Sequence, residues 1–308
     1  MKQTDYEIVD DVSPDDESWA EWKAAVQAEG WVTSGDDSTL AVTPQLAKAV
    51  VARSKSDGRY IGSVVWTEND GLAYIGFYIL RPEFRGLGIG TAIWNRALAR
   101  MAPDSVIGLT SIDYMVNRYK ARDTPVEGQH VISQRIRADD FIKIVKSHIH
   151  STTKLVSELS PKEFDAVLSY ANEVSGQNRS KLLRLNFELD CTEGAVLIDS
   201  TGQIQGFASV VTAGPREDHL YKVAPVYAEG VDEALSAIYP LLDFVHKQDP
   251  DAIVILAKWS NSAGEKLQAL IKGKATVSSR TAYTLFSRPY KSSMDHADVR
   301  RSQPFGAL

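Results

Sequence analysis

The run Tyr74-Ile75-Gly76-Phe77-Tyr78-Ile79-Leu80-Arg81-Pro82-Glu83-Phe84-Arg85-Gly86-Leu87-Gly88-Ile89-Gly90-Thr91 changes its pattern abruptly in the middle. Up to Leu80 it is apolar and β-rich. From Thr91 to Met101 the residues Ile93, Ala97, Leu98 and Met101 fall on one face of a helix. Between strand and helix stand Gly86, Gly88 and Gly90, at every second position. Glycines remove side chains where a ligand must approach the backbone, and the helix behind them aims unpaired N–H groups into that space. Such a helix start binds anions, and Arg85 adds a positive charge beside the dipole. Strand, glycine loop and helix in this order predict a diphosphate site. A P-loop is excluded because no Gly-Lys-Ser/Thr follows, and a dinucleotide fingerprint fits poorly because Thr91 stands where its third glycine should be.

Outward toward the N-terminus, Asn69-Asp70-Gly71 precedes Leu72 to Leu80, and Lys55-Ser56-Asp57-Gly58 separates Ala49–Ser54 from Arg59–Glu68. This is the signature of a three-stranded antiparallel meander. Before it, Pro14-Asp15-Asp16-Glu17 starts a helix to about Ala28 that carries Trp19, Trp22 and Val26 at core spacing. Toward the C-terminus, Pro103-Asp104 ends the glycine-loop helix, Val106–Thr110 reads as a strand and Tyr114–Arg122 as a helix. The second half repeats the order. A helix starts at Pro161, strands occupy 195–199, 205–211 and 220–226, and a helix runs over 231–246. A strand at 252–256, a helix at 263–271 and a strand at 281–286 complete it. The fold class is therefore α+β, as two units of one plan, each a mixed, mostly antiparallel sheet flanked by helices.

The loop and its flanks resemble the GNAT superfamily of N-acetyltransferases, whose acetyl-CoA loop reads Arg/Gln-x-x-Gly-x-Gly/Ala; Arg85, Gly88 and Gly90 match it. The resemblance covers roughly residues 5 to 135. It implies that the cofactor is held by Ile79, Leu80, Arg85, Gly86, Leu87, Gly88, Ile89, Gly90 and Thr91, with acetyl-CoA as co-substrate. Pantetheine would pair with the splayed end of the strand around Tyr78 to Leu80, which is ordinary edge-strand physics. The family carries an Asn, a Tyr about six residues later, then Gly-Phe. Here Tyr119 holds the tyrosine position, whose family role is to protonate the departing thiolate, while Asp113 replaces the asparagine and Asp123-Thr124 the Gly-Phe. The stretches 172–179, 224–228 and 261–263 are similar to the C-terminal GNAT-like domain of two-domain acetyltransferases. That half lacks the phosphate loop, and Glu229, Asp232 and Glu233 crowd the equivalent helix start, where they would repel a diphosphate.

The length of 308 residues is about twice that of a typical domain. The expected division is a CoA-binding unit over 1–145, a degenerate repeat over 150–290 and a polar, mobile tail over 291–308, with the join between Asp139 and Ser160. A net charge of −6 argues against a nucleic-acid partner and mildly favours cationic ones. Residues 1–7 carry no apolar signal core and no stretch reaches ~18 apolar residues, so no membrane partner and a cytoplasmic location are expected. One cysteine, Cys191, excludes an internal disulfide, and six scattered histidines, His148 and His150 among them, suggest no metal. The function implied is acetyl transfer from acetyl-CoA to a primary amine of a small molecule or peptide, by direct attack on the thioester. The alternative is a non-catalytic CoA-binding sensor or interaction module, which turnover would discriminate. The spacing specifies neither the amine's identity, the general base nor an oligomeric state. Tyr78 and Glu83 lie near the proposed site in sequence, and Glu68 and Asp70 lie in the preceding hairpin.

Overall fold

The computed structural model describes residues 5–10, 12–31, 36–149, 152–259, 262–273 and 276–290. The expected tail over 291–308, His150 and Asn261 lie outside the described residues. The first series of elements is β1 (Tyr6–Val9), α1 (Ser18–Ala28), α2 (Asp36–Leu46), β2 (Lys48–Ser54), β3 (Tyr60–Asn69), β4 (Leu72–Leu80), α3 (Ile89–Arg100), β5 (Val106–Ile112), α4 (Val116–Lys120), β6 (Val126–Arg137) and α5 (Ala138–Val145). The second is β7 (Thr153–Leu155), α6 (Pro161–Ser175), α7 (Ser180–Phe187), β8 (Thr192–Ile198), β9 (Ile204–Ala213), β10 (Leu220–Ala228), α8 (Val231–Gln248), β11 (Ile253–Trp259), α9 (Ser262–Ile271) and β12 (Thr276–Phe286). The expected helix over Tyr114–Arg122 is a 3-10 turn, Asp113–Met115, followed by the short α4.

The strands form a single 12-stranded sheet in the order β1-β2-β3-β4-β5-β12-β6-β11-β10-β9-β8-β7. Among the described residues only β4–β5 and β10–β11 are parallel pairs. Reversing the order exchanges β1 with β7, β2 with β8 and so on to β6 with β12, so the repeated plan is realised as a pseudo-two-fold in which Val131 pairs with Ala282 at the centre. The last strand of each series lies across the middle. β12 pairs with β5, and its Leu285 is fully buried beside Ile75, Leu109, Ile93 and Trp94. In the other direction β6 pairs with β11, and its Ile136 is buried with Leu241, Val254 and Leu256.

Helices cover the sheet according to their apolar faces. α3 packs Ile93, Trp94 and Ala97 on one face of β2–β4, and α1 packs Trp19, Trp22 and Val26 on the other against Val51, Val65 and Ile79. Trp22 meets Phe77 edge-on with ring centroids 5.0 Å apart. In the second series α8 takes the place of α3 and α6 that of α1. The Ser160–Glu163 capping box starts α6, with both reciprocal hydrogen bonds present. At the junction of the halves Lys181 Nζ donates to the Gln45 carbonyl at 2.8 Å, and Asp70 accepts the N–H of Asn178 at 3.1 Å. Among the described residues no helix is long and apolar enough to cross a membrane, and no group of three metal-ligating side chains occurs.

The exchange of β12 makes a specific prediction. Leu285→Ala should cost about 2–5 kcal/mol, as for other fully buried leucines. Five of the six tryptophans, Trp19, Trp22, Trp31, Trp66 and Trp94, lie in the first series, so fluorescence reports that half and far-UV circular dichroism reports the whole. Urea unfolding should move both probes together to lower denaturant. A loss of circular dichroism with the fluorescence midpoint unchanged would show that β12 does not support the first half.

Candidate active site

The site begins where two strands part. β4 and β5 pair only from Leu72–Val106 to Ile75–Leu109, whereas β4 continues to pair with β3 as far as Leu80–Gly62. Between Ile75 and Phe77 the β3–β4 register shifts by one, which makes Gly76 an inserted residue. Such a bulge bends its strand and re-aims the side chains beyond it. Ala73, Ile75, Tyr78 and Leu80 consequently all pack on the α3 face, while Phe77 and Ile79 turn to the α1 face. The end of β4 thus stands away from β5 with an open side.

Next to that opening, a 3-10 turn over Pro82–Phe84 leads through Arg85 to the start of α3. Gly86 and Gly88 have φ of 79° and 80°, a left-handed conformation that costs other residues about 1–2 kcal/mol, and the space over both is empty. Gly90 is needed for a different reason: a methyl group there would overlap the Tyr78 hydroxyl. Among the described residues none accepts a hydrogen bond from the N–H groups of Gly86 through Thr91. Arg85 is already engaged. It donates to the Leu80 carbonyl from Nε at 3.0 Å and from Nη2 at 2.8 Å, and it pairs with Glu29. Its guanidinium therefore ties the loop to the strand end.

Tyr119 on α4 packs against Trp94, as Tyr78 does. Ring centroids are 5.2 Å apart for Tyr78–Trp94 and 5.5 Å for Trp94–Tyr119. Burial pushes both phenols above their ordinary range, the more so for Tyr119, whose other large raising cause is Tyr78 itself; the neighbouring Arg118 and Arg122 act in the opposite direction. Both therefore stay protonated through neutral pH. The departure Asp123-Thr124 also has a physical role. Asp123 accepts the Trp94 indole N–H at 2.6 Å, and Thr124 is buried with its N–H and hydroxyl on the Tyr119 carbonyl. These contacts, with the Arg122 guanidinium 5.2 Å over Trp94, fix the ring on which Tyr119 rests. On the opposite face the Tyr74 hydroxyl bonds Thr110, and burial pushes it up to about 12.

Of the carboxylates near the loop in sequence, none is free at the opening. Glu68 holds Lys48 at 2.7 Å and the Trp66 indole at 2.9 Å, at the end of β3 far from Leu80. Asp70 serves the α7 junction, and Glu83 pairs with Arg81 at 3.1 Å. Tyr78 and Trp94 are the members of the cluster that spacing alone does not single out, because the Gly76 bulge decides which face Tyr78 takes.

The second series repeats the parting without the loop. β10 leaves β11 after Val223–Leu256, yet only Glu229-Gly230 separates β10 from α8. The Glu229 N–H bonds the Gln205 carbonyl at 2.9 Å, and Asp232 and Glu233 occupy the first turn of α8. His148 Nδ1 sits 3.1 Å from Asp232.

Comparison with known proteins bears directly on this geometry. A family model described as the acetyltransferase (GNAT) family matches residues 14–122, the stretch that holds β4, the glycine loop, α3 and Tyr119. Over 302 residues the chain is 32% identical to the uncharacterized protein F36G3.2 of Caenorhabditis elegans, covering 97% of this chain and 96% of that protein. It is similar in fold to the tandem GNAT protein of the clavulanic acid biosynthesis pathway, at 17% identity, 93% and 100% coverage of the two chains and a TM-score of 0.63. It is also similar to N-myristoyltransferase of Saccharomyces cerevisiae, at 11% identity, 100% and 87% coverage and a TM-score of 0.62. The two structural likenesses carry the fold alone. With the family model lying over the parted strands and the same plan repeated behind them, residues 14–122 form a domain of the acetyltransferase (GNAT) family, and the chain as a whole has the fold of two GNAT-like units in tandem.

Proposed function

We propose that the protein is an acetyl-CoA-dependent N-acetyltransferase acting on a primary amine of a small molecule or peptide, in a cytoplasmic setting. The observation that carries this reading is the set of unpartnered N–H groups from Gly86 to Thr91, beside a strand whose end has left its neighbour. Oriented N–H groups at a helix start suit a diphosphate, and a free strand edge suits the amide-rich pantetheine arm. In this proposal residues 1–145 together with β12 form the acyl-CoA unit, and 150–290 the repeat that has lost it.

The acceptor amine, in its neutral form, attacks the thioester carbonyl. The C–N bond forms, the C–S bond breaks, and the departing thiolate takes a proton from Tyr119, which burial keeps protonated. The fixed Trp94 ring holds that phenol in place. With the nearby carboxylates engaged elsewhere, deprotonation of the amine falls to water. Because a lysine-like amine has a pKa of ~10, its neutral fraction grows tenfold per pH unit below that value. The expected kcat/KM therefore rises with unit slope in log form from pH 6 toward the acceptor's pKa, with no alkaline fall from Tyr119 until above pH ~10. A bell-shaped profile with an acidic limb of its own would point to a protein base.

The direct test is release of CoA thiol from acetyl-CoA across a panel of amines, polyamines, amino acids and peptides. Longer acyl-CoAs belong in the panel because the yeast relative's structure holds myristoyl-CoA. Binding without any turnover would favour a CoA sensor. Two variants probe the parts. Gly88→Asp places a carboxylate and a strained backbone at the phosphate position, and calorimetry should show acetyl-CoA affinity reduced at least tenfold. Tyr119→Phe keeps the ring and should lower kcat by roughly 10- to 1000-fold with acetyl-CoA affinity within about threefold. A Tyr119→Phe protein that melts and turns over like the parent would remove this phenol from the mechanism.

A further inference from the structure

On the sheet face opposite α3 and α8 the central strands carry a group of cations. Tyr74, Thr110 and Ile112 share this face, and Ile112 pairs with Ala282 of β12. Alternation then places Arg280 and Ser278 on it, and these pair with Ser133 and Arg135 of β6. The next strands agree, since Arg135 faces Ile255 and Ile255 faces Lys222, while Ile136 and Val223 point into the opposite core. The result is a four-residue square, Arg280, Ser133, Arg135 and Ser278, with Lys222 two strands further.

Among the described residues neither Arg135 nor Arg280 makes an ion pair or side-chain hydrogen bond, although Arg137 nearby is held by Asp139 at 3.4 Å and Asp251 at 3.7 Å. No Asp or Glu occupies this face of β5, β12, β6, β11 or β10. Two guanidiniums on a cross-strand diagonal repel, and an oxyanion between them with two hydroxyls beside it relieves that repulsion. Burial lowers the Lys222 ammonium to about 8, a cost that an anion nearby would reduce. The square starts next to the opening. With strands ~4.8 Å apart and ~3.3 Å per residue, the Arg280 Cα lies roughly 8 Å from that of Ile112, at the end of β5 that β4 has left.

The geometry points to Arg135 and Arg280 as a subsite for an oxyanion carried by the acyl acceptor, so that the substrate is an amine whose far end bears a carboxylate or phosphate. This rests on the transferase reading above, and it assigns the acceptor a local charge opposite to the one the net charge of −6 suggests.

The test uses the full chain saturated with CoA, so that the phosphate loop is already filled. Succinate and inorganic phosphate are titrated by calorimetry into the parent and into the Arg135→Gln/Arg280→Gln variant. At least one probe should bind the parent and bind the variant tenfold or more weakly, and which one separates a carboxylate from a phosphate preference. Arg135→Lys/Arg280→Lys should retain part of the binding, and thermal melting should match in all three proteins. In parallel, kcat/KM is measured for amines that differ only in an acidic or amidated far end. A tenfold or greater preference for the acidic member, lost in the Gln variant, is expected. Probe binding that is absent in the parent or unchanged in the variant, or equal turnover of the paired amines, would overturn the subsite. Arginine-dependent probe binding with no turnover of any amine would instead remove the transferase reading and leave the anion site standing.

Discussion

The structure depends on one parting of strands. β4 and β5 are parallel neighbours for four residue pairs and then separate, because the Gly76 bulge bends β4 while Arg85 fastens its last carbonyl to the following loop. Separation leaves a gap in the sheet. The same bulge turns Tyr78 toward α3, where its hydroxyl fills the space that Gly90 leaves, and from there the Trp94 and Tyr119 rings follow in contact. The open strand edge and the seat of Tyr78 against Trp94, beside the glycine loop, thus go with a single distortion.

The pseudo-two-fold makes the difference between the halves informative. Both β4 and β10 carry a register shift and both leave their parallel neighbour, so the backbone distortion is common to the two units. Only the first follows it with a long turn and left-handed glycines. In the second, α8 starts almost at once and its first turn is acidic. The second unit still serves the first, because β12 completes the sheet beside β5 and brings Arg280 to the edge of the opening. The second unit lacks the loop, while the strand it lends to its partner is held by packing at the buried Leu285.

Much of this was legible in the sequence, for physical reasons that differ by element. The meander, α1, α3 and α8 have strong periods and clear turn residues, and the glycine loop needs no tertiary context to be read. β6 was not expected, because Val126–Arg137 alternates weakly and places polar residues on both faces. Only Gln134 and Ile136 in it are buried, and its partners come from the other end of the chain. The exchange of β6 and β12 is likewise invisible to local pattern. Tyr119 was found through resemblance, whereas Tyr78 as its companion depends on the bulge. Asp123, read as a departure from the family, turned out to hold Trp94. Arg85, read as a charge for the diphosphate, also donates to the Leu80 carbonyl and pairs with Glu29.

The central claim is that unpaired N–H groups beside the parted β4 hold CoA, and that the acidic start of α8 does not. Amide hydrogen exchange on the full chain, with and without CoA, tests it residue by residue. The account predicts strong slowing of exchange at Gly86 through Thr91 and at the end of β4, with residues 229–235 unchanged. Slowing confined to 229–235, or an unaltered glycine loop at saturating CoA, would contradict it.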